Sequence, residues 1–189
     1  KYLYGDGKML FELPLDEGAF VLDAHWGYYF GSGSEPAVGR IVSALAWMDE
    51  TTRQAALVKK GTLAWKIGFP EEWRDYSKLT ITRDSHFANA VAARGFEASR
   101  LLAQVGKPVD RKEWGMNAQT VNASYNPLQN AFTYPAGILQ PPFFHKDYPV
   151  AMNLGGMGFV IGHELTHGFD DQGSKFDAQG GMTDWWTPA

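Results

Sequence analysis

The sequence predicts a mainly α-helical fold with a small antiparallel β element, of the α+β class. Apolar residues recur at three- and four-residue spacing over residues 36–67 and again over 84–105, which is the period of an amphipathic helix. Residues 120–125 alternate between polar and apolar side chains, a turn follows, and residues 131–134 return as a second strand. We therefore expect helices to form most of the core and one hairpin to complete it.

Composition limits the classes of protein to which this chain can belong. It has 189 residues, of which 44% are hydrophobic and 20% charged, and this balance excludes wholesale disorder. Its formal net charge of -4 argues against a nucleic-acid-binding protein, which usually carries a basic surface. Cysteine is absent, which excludes disulfides, thiolate metal sites and a cysteine nucleophile. No run of 18 apolar residues occurs, so no membrane span is predicted.

The first 40 residues are rich in aromatic residues and glycine, and their signals are weak. Alternation over residues 11–15 predicts a strand, and the dense aromatic residues of 20–30 indicate core packing. Ser34 followed by Pro36 is typical of the first turn of a helix.

The helical pattern begins at Pro36 and extends to about Ile67, with a second helix start at Asp49. Gly68-Phe69-Pro70 ends it, and residues 71–82 are expected to form an extended connection. The next helix, over residues 84–105, ends at Gly106-Lys107-Pro108.

Two further segments are notable for their prolines and their glycines, respectively. Residues 135–144 hold three prolines and are predicted to be rigid and extended. Residues 152–169 are predicted to form a buried helix with glycines inside it at positions 155, 156, 158 and 162. Since each glycine inside a helix costs about 1 kcal/mol relative to alanine, we expect a neighbouring segment to approach this helix closely.

The strongest chemical signal is His163-Glu164-Leu165-Thr166-His167. Two histidines four residues apart lie on one helix face and can hold one zinc ion, while Glu164 can reach a water on the open side of the metal. Asp170 falls on the same face and can accept the distal N–H of a zinc-bound histidine.

A third protein ligand is not evident. The metzincin pattern is excluded, because Asp170 and Gly173 stand where it requires glycine and histidine. No glutamate follows Glu164 and no histidine follows His167. The remaining carboxylates are weak candidates for the third ligand: Asp170, Asp171, Asp177 and Asp184.

Several motifs together resemble one known family, the neprilysin family of zinc endopeptidases (peptidase family M13, with the endothelin-converting enzymes and PepO). In chain order they occupy residues 121–125, 132–144, 153–171 and 184–186. A weaker likeness reaches back through residues 47–52 and 66–70, so the resemblance covers about 46–189. Family members are several times longer than this chain, which is therefore similar to an internal fragment of one.

The resemblance assigns roles at the matching positions. His163 and His167 would bind one Zn²⁺, Glu164 would act as the catalytic base, and Asp170 would orient a ligand histidine. Asn122 and Ala123 correspond to the family's clamp on the substrate backbone. Four residues correspond to the apolar pocket for the side chain that follows the cleaved bond: Ile138, Phe143, Phe159 and Val160.

The resemblance also implies a domain organisation. Residues 41–189 would form part of a gluzincin (thermolysin-like) metalloprotease core, whose C-terminal part this chain lacks, and residues 1–40 stay unassigned. Within that partial domain the strand motif spans about 119–135 and the zinc-binding helix about 152–170.

The resulting hypothesis is a segment of a zinc metalloendopeptidase that acts on peptides with a hydrophobic residue after the scissile bond. The family's third ligand, a glutamate in a later Glu-Asn-x-x-Asp motif, and its later His and Arg are absent from this sequence. We therefore expect the isolated chain to be inactive, unless the C-terminal segment binds in trans. The alternative is a noncatalytic peptide-binding or structural remnant. The resemblance favours a secreted, periplasmic or cell-surface location.

Overall fold

The computed structural model describes residues 12–15, 18–23, 27–30, 39–40 and 42–187, the first three ranges as backbone only. The strands are β1 (Glu12–Leu15), β2 (Gly18–Asp23), β3 (Gly27–Phe30), β4 (Ala64–Gly68), β5 (Ser124–Asn126) and β6 (Ala131–Pro135). The helices are α1 (Glu50–Gly61), α2 (His86–Leu102), α3 (Val150–Asn153) and α4 (Phe159–His167). A π-helical turn, Leu154–Gly158, joins α3 to α4, and 3₁₀ turns span Ala136–Ile138 and Gly173–Lys175.

The six strands of the described residues form two three-stranded sheets. The first is an antiparallel meander in the order β1-β2-β3. The second has the order β4-β6-β5, with β4 parallel to β6 and β5 antiparallel to it. Ala64 pairs with Ala131 and Ser124 with Thr133, so β6 is the central strand and β5 lies at one edge.

By compactness the chain divides into two units. One comprises residues Lys1–Pro70 and Arg111–Ala189, and the other comprises Glu71–Asp110. The smaller unit contains α2, which begins with Ser85 as its N-cap and buries none of its own residues. On its surface Glu97 accepts hydrogen bonds from Arg100 at 2.7 and 3.0 Å and pairs with Arg74 at 3.3 Å.

The core of the larger unit lies between the second sheet and α4. Phe132 and Tyr134 of β6 are almost fully buried, and Ile161 and Leu165 cover them from α4. The remaining members of this cluster come from β4 and from the segments around β6 and α4: Ile67, Ala123, Ile138, Leu139, Phe144 and Met157. The helix that carries the two histidines is therefore fixed by its apolar face.

The structure confirms the predicted fold class and several elements. Asp49 is the N-cap of α1, α2 lies inside the predicted 84–105 helix, and β6 begins at the predicted return strand. The weak strand signal at residues 11–15 coincides with β1. The aromatic side chains of 20–30 and the Ser34–Pro36 helix start lie outside the described residues.

Three predictions of local structure are wrong. The helix predicted to continue to Ile67 ends at Gly61, and the next residues form β4, because pairing with β6 overrides their helical spacing. The strand predicted over 120–125 begins only at Ser124. Residues 135–144 are not extended: they contain the 3₁₀ turn and a cis Pro141-Pro142 bond.

The expected close approach to the glycine-rich helix occurs at one glycine. A Cβ on Gly156 would overlap the backbone carbonyl of Phe143, whereas Gly155 and Gly162 have open space around them. Gly156 lies in the π-helical turn and lets the Phe143 segment pack directly on its backbone. Among the described residues, no helix is both long and apolar enough to cross a membrane.

The N-cap of α1 generates a prediction about acid stability. The Asp49 carboxylate accepts hydrogen bonds from Thr187 and from the hydroxyl and backbone N–H of Thr52, and these lower the pKa of Asp49 to about 2. A depressed native pKa stabilises the fold above the unfolded value of 3.8, and that contribution is lost as pH falls toward 2. We expect Asp49→Ala to lower the urea midpoint clearly at pH 6 and by progressively less between pH 4 and pH 2.

The matched control is Glu72→Ala, which removes an exposed carboxylate in the segment after β4. It should leave the urea midpoint almost unchanged at every pH. A deficit of Asp49→Ala that stays constant from pH 6 to pH 2 would contradict the role of the ionised carboxylate.

Candidate active site

The histidines of α4 point their ring nitrogens at a common position. The Nε2 atoms of His163 and His167 are 3.1 Å apart, and the two rings are nearly perpendicular at 85°. One helical turn separates the two residues, so both side chains project from the face opposite Ile161 and Leu165.

This geometry fits the donor set of a zinc ion. Two imidazole nitrogens that each lie about 2.0–2.1 Å from one metal, at an angle of about 98°, are separated by the distance found here. Neutral imidazole is also the ligand that zinc accepts most readily besides thiolate, and this chain has no cysteine. His163 and His167 are thus the residues that would hold the metal.

Asp170 orients the second of these rings. Its Oδ2 lies 2.7 Å from Nδ1 of His167, while its Oδ1 accepts the backbone N–H groups of Gln172 at 3.0 Å and Gly173 at 2.8 Å. Burial raises the pKa of Asp170, but the hydrogen bonds from Gly173, His167 and Gln172 outweigh burial and lower it. Since an ionised carboxylate can only accept, Nδ1 of His167 donates, which leaves the Nε2 lone pair directed toward His163.

Glu164 lies between the histidines and is 5% exposed. Burial raises the pKa of its carboxyl, against the opposing influence of His167, of His163 and of a hydrogen bond from the backbone N–H of Tyr125. Partial desolvation makes a carboxylate a stronger base, and the backbone of β5 holds this one in place.

A cavity of about 300 Å³ opens beside these groups. Its lining brings together all six residues predicted to contact substrate with two members of the His-Glu-x-x-His motif: Asn122, Ala123, Ile138, Phe143, Phe159, Val160, His163 and Glu164. Val121, which the sequence analysis did not single out, completes the lining. Phe159 is 68% exposed at the rim.

Asn122 and Ala123 immediately precede β5, the edge strand. The amide oxygen of Asn122 accepts the backbone N–H of Ala123 at 2.9 Å, and the Asn122 side chain is exposed while Ala123 is buried. The asparagine is therefore held by its own backbone at the mouth of the cavity.

The sequence analysis missed Lys59, which is 1% exposed. Its Nζ donates to the carbonyl oxygens of Gly168 and Gly173 at 2.6 Å and of Phe176 at 2.7 Å, just beyond α4. Burial lowers the pKa of Lys59 to about 8, against the attraction of Asp177 and Asp170. One sequence feature could have identified Lys59 as buried: it follows Thr52 and Ala56 at helical spacing, on the face of α1 that the structure buries.

A third metal ligand is not found in the part of the chain that the structure describes, where no cluster of three or more His, Asp or Glu side chains could hold an ion. Both oxygens of Asp170 already accept hydrogen bonds. Asp177 accepts the backbone N–H groups of Gln179 and Gly181 and the hydroxyl of Thr183.

Comparison with known proteins identifies relatives of this region. The family model described as Peptidase family M13 matches residues 122–189. Membrane metallo-endopeptidase-like 1 of Mus musculus is 43% identical over 152 residues, which are 76% of this chain and 20% of that protein. Neprilysin-11 of Caenorhabditis elegans is 37% identical over 194 residues, 93% of this chain and 22% of that protein. The chain thus spans about a fifth of the length of the curated relatives it matches.

Solved structures show the same similarity. The zinc metalloprotease Zmp1 of Mycobacterium tuberculosis, crystallised with an inhibitor, superposes with a TM-score of 0.76 at 50% identity, covering 81% of this chain and 23% of that one. PepO from Lactobacillus rhamnosis gives a TM-score of 0.74 at 36% identity, over 82% of this chain and 25% of that one.

Gly173 generates a prediction about this site. A Cβ there would overlap the carbonyl oxygen of His167 and crowd the backbone of Gly168. We expect Gly173→Ala to lower stability by about 1–3 kcal/mol in urea unfolding, because backbone atoms on both sides would have to move.

Gly162→Ala is the matched control, since that glycine lies within α4 and a Cβ there meets nothing within 4 Å. It should be neutral or stabilise by up to about 1 kcal/mol. Equal effects of the two substitutions would contradict the close approach at Gly173.

Proposed function

Because the chain belongs to peptidase family M13, we propose that it carries the metal-binding and proton-transfer part of a zinc metalloendopeptidase active site. The observation that supports this most directly is the convergence of His163 and His167 on one position, with Glu164 beside them and a cavity alongside. The relatives' printed names describe metallo-endopeptidases and zinc metalloproteases, which agrees with the proposal.

The residues would divide the chemistry as follows. Zinc, when bound at the two imidazole nitrogens, supplies a Lewis acid that lowers the pKa of water and polarises a peptide carbonyl. Glu164 takes a proton from the attacking water as its oxygen bonds to the carbonyl carbon. The carboxyl then delivers that proton to the amide nitrogen as the C–N bond breaks. The second proton of the water passes to the leaving amine, so the products are a carboxylate and an ammonium group. Asp170 keeps His167 in the tautomer whose Nε2 can bind metal.

The cavity supports a preference for the residue after the scissile bond. Its walls include four apolar side chains next to Glu164: Ile138, Phe143, Phe159 and Val160. An aromatic or branched aliphatic side chain would be desolvated there, whereas a charged one would lose its hydration without gaining a partner.

Asn122 and Ala123 would bind the peptide backbone. Both lie just before the edge strand β5, and an extended peptide can align with such an edge through main-chain hydrogen bonds. The substrates we propose are accordingly oligopeptides in extended conformation.

Two further assignments belong to the same proposal. Residues 41–189 would form a partial catalytic domain, and residues 1–40 would have no assigned role. A secreted, periplasmic or cell-surface location would suit a peptidase related to a protein named as a membrane metallo-endopeptidase.

The first test places Glu164 in the reaction. Residues 41–189 would replace the corresponding segment of Mycobacterium tuberculosis Zmp1, and the chimera would be assayed on a peptide with Phe or Leu after the cleavage site. We expect Glu164→Gln to lower kcat by roughly 10²–10⁴-fold while zinc content stays unchanged, because the amide cannot accept the water's proton.

Glu72→Gln, at an exposed position, controls for the loss of one carboxylate and should keep full activity. A Glu164→Gln chimera that retains most of its turnover would remove Glu164 from the mechanism. An inactive chimera that still binds peptide would support the noncatalytic alternative.

The second test concerns the 189-residue chain by itself. Hydrolytic zinc sites use three protein ligands and a water. Within the described part of the chain only His163 and His167 converge, so we expect weak zinc binding and no peptide cleavage. Zinc binding is measured by calorimetric titration of the chain and of its His163→Ala variant. Peptide cleavage is measured by an assay with and without chelator. Stoichiometric sub-micromolar binding with chelator-sensitive cleavage would contradict this expectation. If a C-terminal segment of a relative completes the site in trans, adding that segment should restore both zinc binding and cleavage.

A further inference from the structure

We propose that Lys59 is a positioning residue for the metal site, acting through the loop of residues 168–176, which carries Asp170. Its link to metal binding rests on the proposed function, whereas its link to the His167 ring does not. Lys59 lies on α1, far in sequence from the motif, and the ammonium itself contacts the backbone that follows α4.

All three N–H donors of the ammonium are used on this loop. They bond to the carbonyls of Gly168, Gly173 and Phe176 at 2.6, 2.6 and 2.7 Å. An ammonium offers three donors and no acceptor, so its hydrogen-bonding capacity is fully satisfied. The ammonium thereby holds together three carbonyls that are spread over nine residues, so the far end of the loop lies next to the end of α4.

Aromatic rings surround the same cation. Its Nζ lies 5.9 Å from the ring centre of Tyr125, 5.5 Å from Phe169 and 5.6 Å from Trp185. These distances allow cation–π attraction, and the rings exclude water from the carbonyl contacts. The indole N–H of Trp185 also donates to the Phe176 carbonyl at 3.0 Å.

Two residues of the loop transmit the effect to His167. Gly168, the C-cap of α4, directly follows His167, and Lys59 binds its carbonyl. Gly173 gives its carbonyl to Lys59 and its N–H to Oδ1 of Asp170, whose Oδ2 contacts Nδ1 of His167. Removing the ammonium takes one hydrogen bond from each of the three carbonyls: Phe176 keeps only the indole N–H of Trp185, Gly173 keeps only the backbone N–H of Phe176, and the Gly168 carbonyl loses its Lys59 donor. The loop must then rearrange to satisfy the Gly168 carbonyl, and Asp170 must move with it.

The first experiment reads the tautomer of His167 without metal or substrate. Side-chain ¹⁵N NMR of the metal-free 189-residue chain should show the proton on Nδ1. The sequence contains no cysteine, so Lys59→Cys introduces one unique thiol that can be alkylated in denaturant before refolding. Alkylation with 2-bromoethylamine restores a side chain of lysine length with its ammonium, whereas 1-iodopropane gives the same length without charge.

We expect the aminoethylated chain to keep the proton on Nδ1 and the propylated chain to show a mixture of Nδ1–H and Nε2–H forms. A folded propylated chain that retains the Nδ1–H form overturns the proposal. So does loss of this form in the aminoethylated chain.

The second experiment measures zinc affinity in the chimera with Zmp1. Lys59→Met and Asp170→Asn should each weaken zinc binding by roughly 10–100-fold, and the double variant should be no weaker than the worse single one, because both act on His167. Lys60→Met, on the next residue of α1, is the control and should leave zinc affinity unchanged.

Additive losses would mean that Lys59 does not act through Asp170, and they overturn the proposal. Loss of the folded circular dichroism spectrum with Lys59→Met would assign Lys59 to folding alone and also overturns it. If the unmodified chimera binds no zinc, the proposed function fails, while the tautomer experiment still decides the role of Lys59.

Discussion

Burial of one face of α4 is the constraint on which the site depends. Ile161 and Leu165 are fixed against Phe132 and Tyr134 of β6, so the helix cannot rotate about its axis without exposing them. With that face fixed, residues 163 and 167 must project to the opposite side. The direction of the two imidazoles is thus a consequence of core packing, and the ring of His167 needs only one further contact, from Asp170, to be fully oriented.

The same core contains buried polar side chains that tie separate segments together. Asn130 is fully buried and donates to the Lys59 carbonyl at 3.0 Å, while its amide oxygen accepts the hydroxyl of Tyr125 at 2.9 Å. Tyr125 also gives its backbone N–H to Glu164. The C-terminal part of α1, the β5–β6 turn and the motif helix are therefore joined by hydrogen bonds as well as by apolar contacts, and each bond relieves the cost of a buried polar group.

Features that depend on residues close together in the sequence could be predicted, whereas features that depend on residues far apart in the sequence could not. His163, Glu164, His167 and Asp170 lie within eight residues on one helix and the turn after it, so their spacing alone predicts their arrangement. The strand β4 could not be identified in this way, since it exists through parallel pairing with β6, more than sixty residues later. Lys59 was missed for a similar reason. Its acceptors are backbone carbonyls on a distant loop, and every residue type has such a carbonyl, so the residue types of the loop do not indicate the contact.

The positioning of Asp170 also bears on the third ligand. A helix can direct only residues one turn apart at a single ion, so if His163 and His167 bind zinc as proposed, the third ligand would have to come from another element. Asp170 is the nearest carboxylate in sequence, but one of its oxygens is bound to His167 and the other to two backbone N–H groups. To bind metal, Asp170 would have to release the His167 ring, whose proposed role as a ligand depends on that contact. The hydrogen bonds of Asp170 in this loop therefore argue against it as the third ligand of the proposed metal site and favour its role in orienting His167.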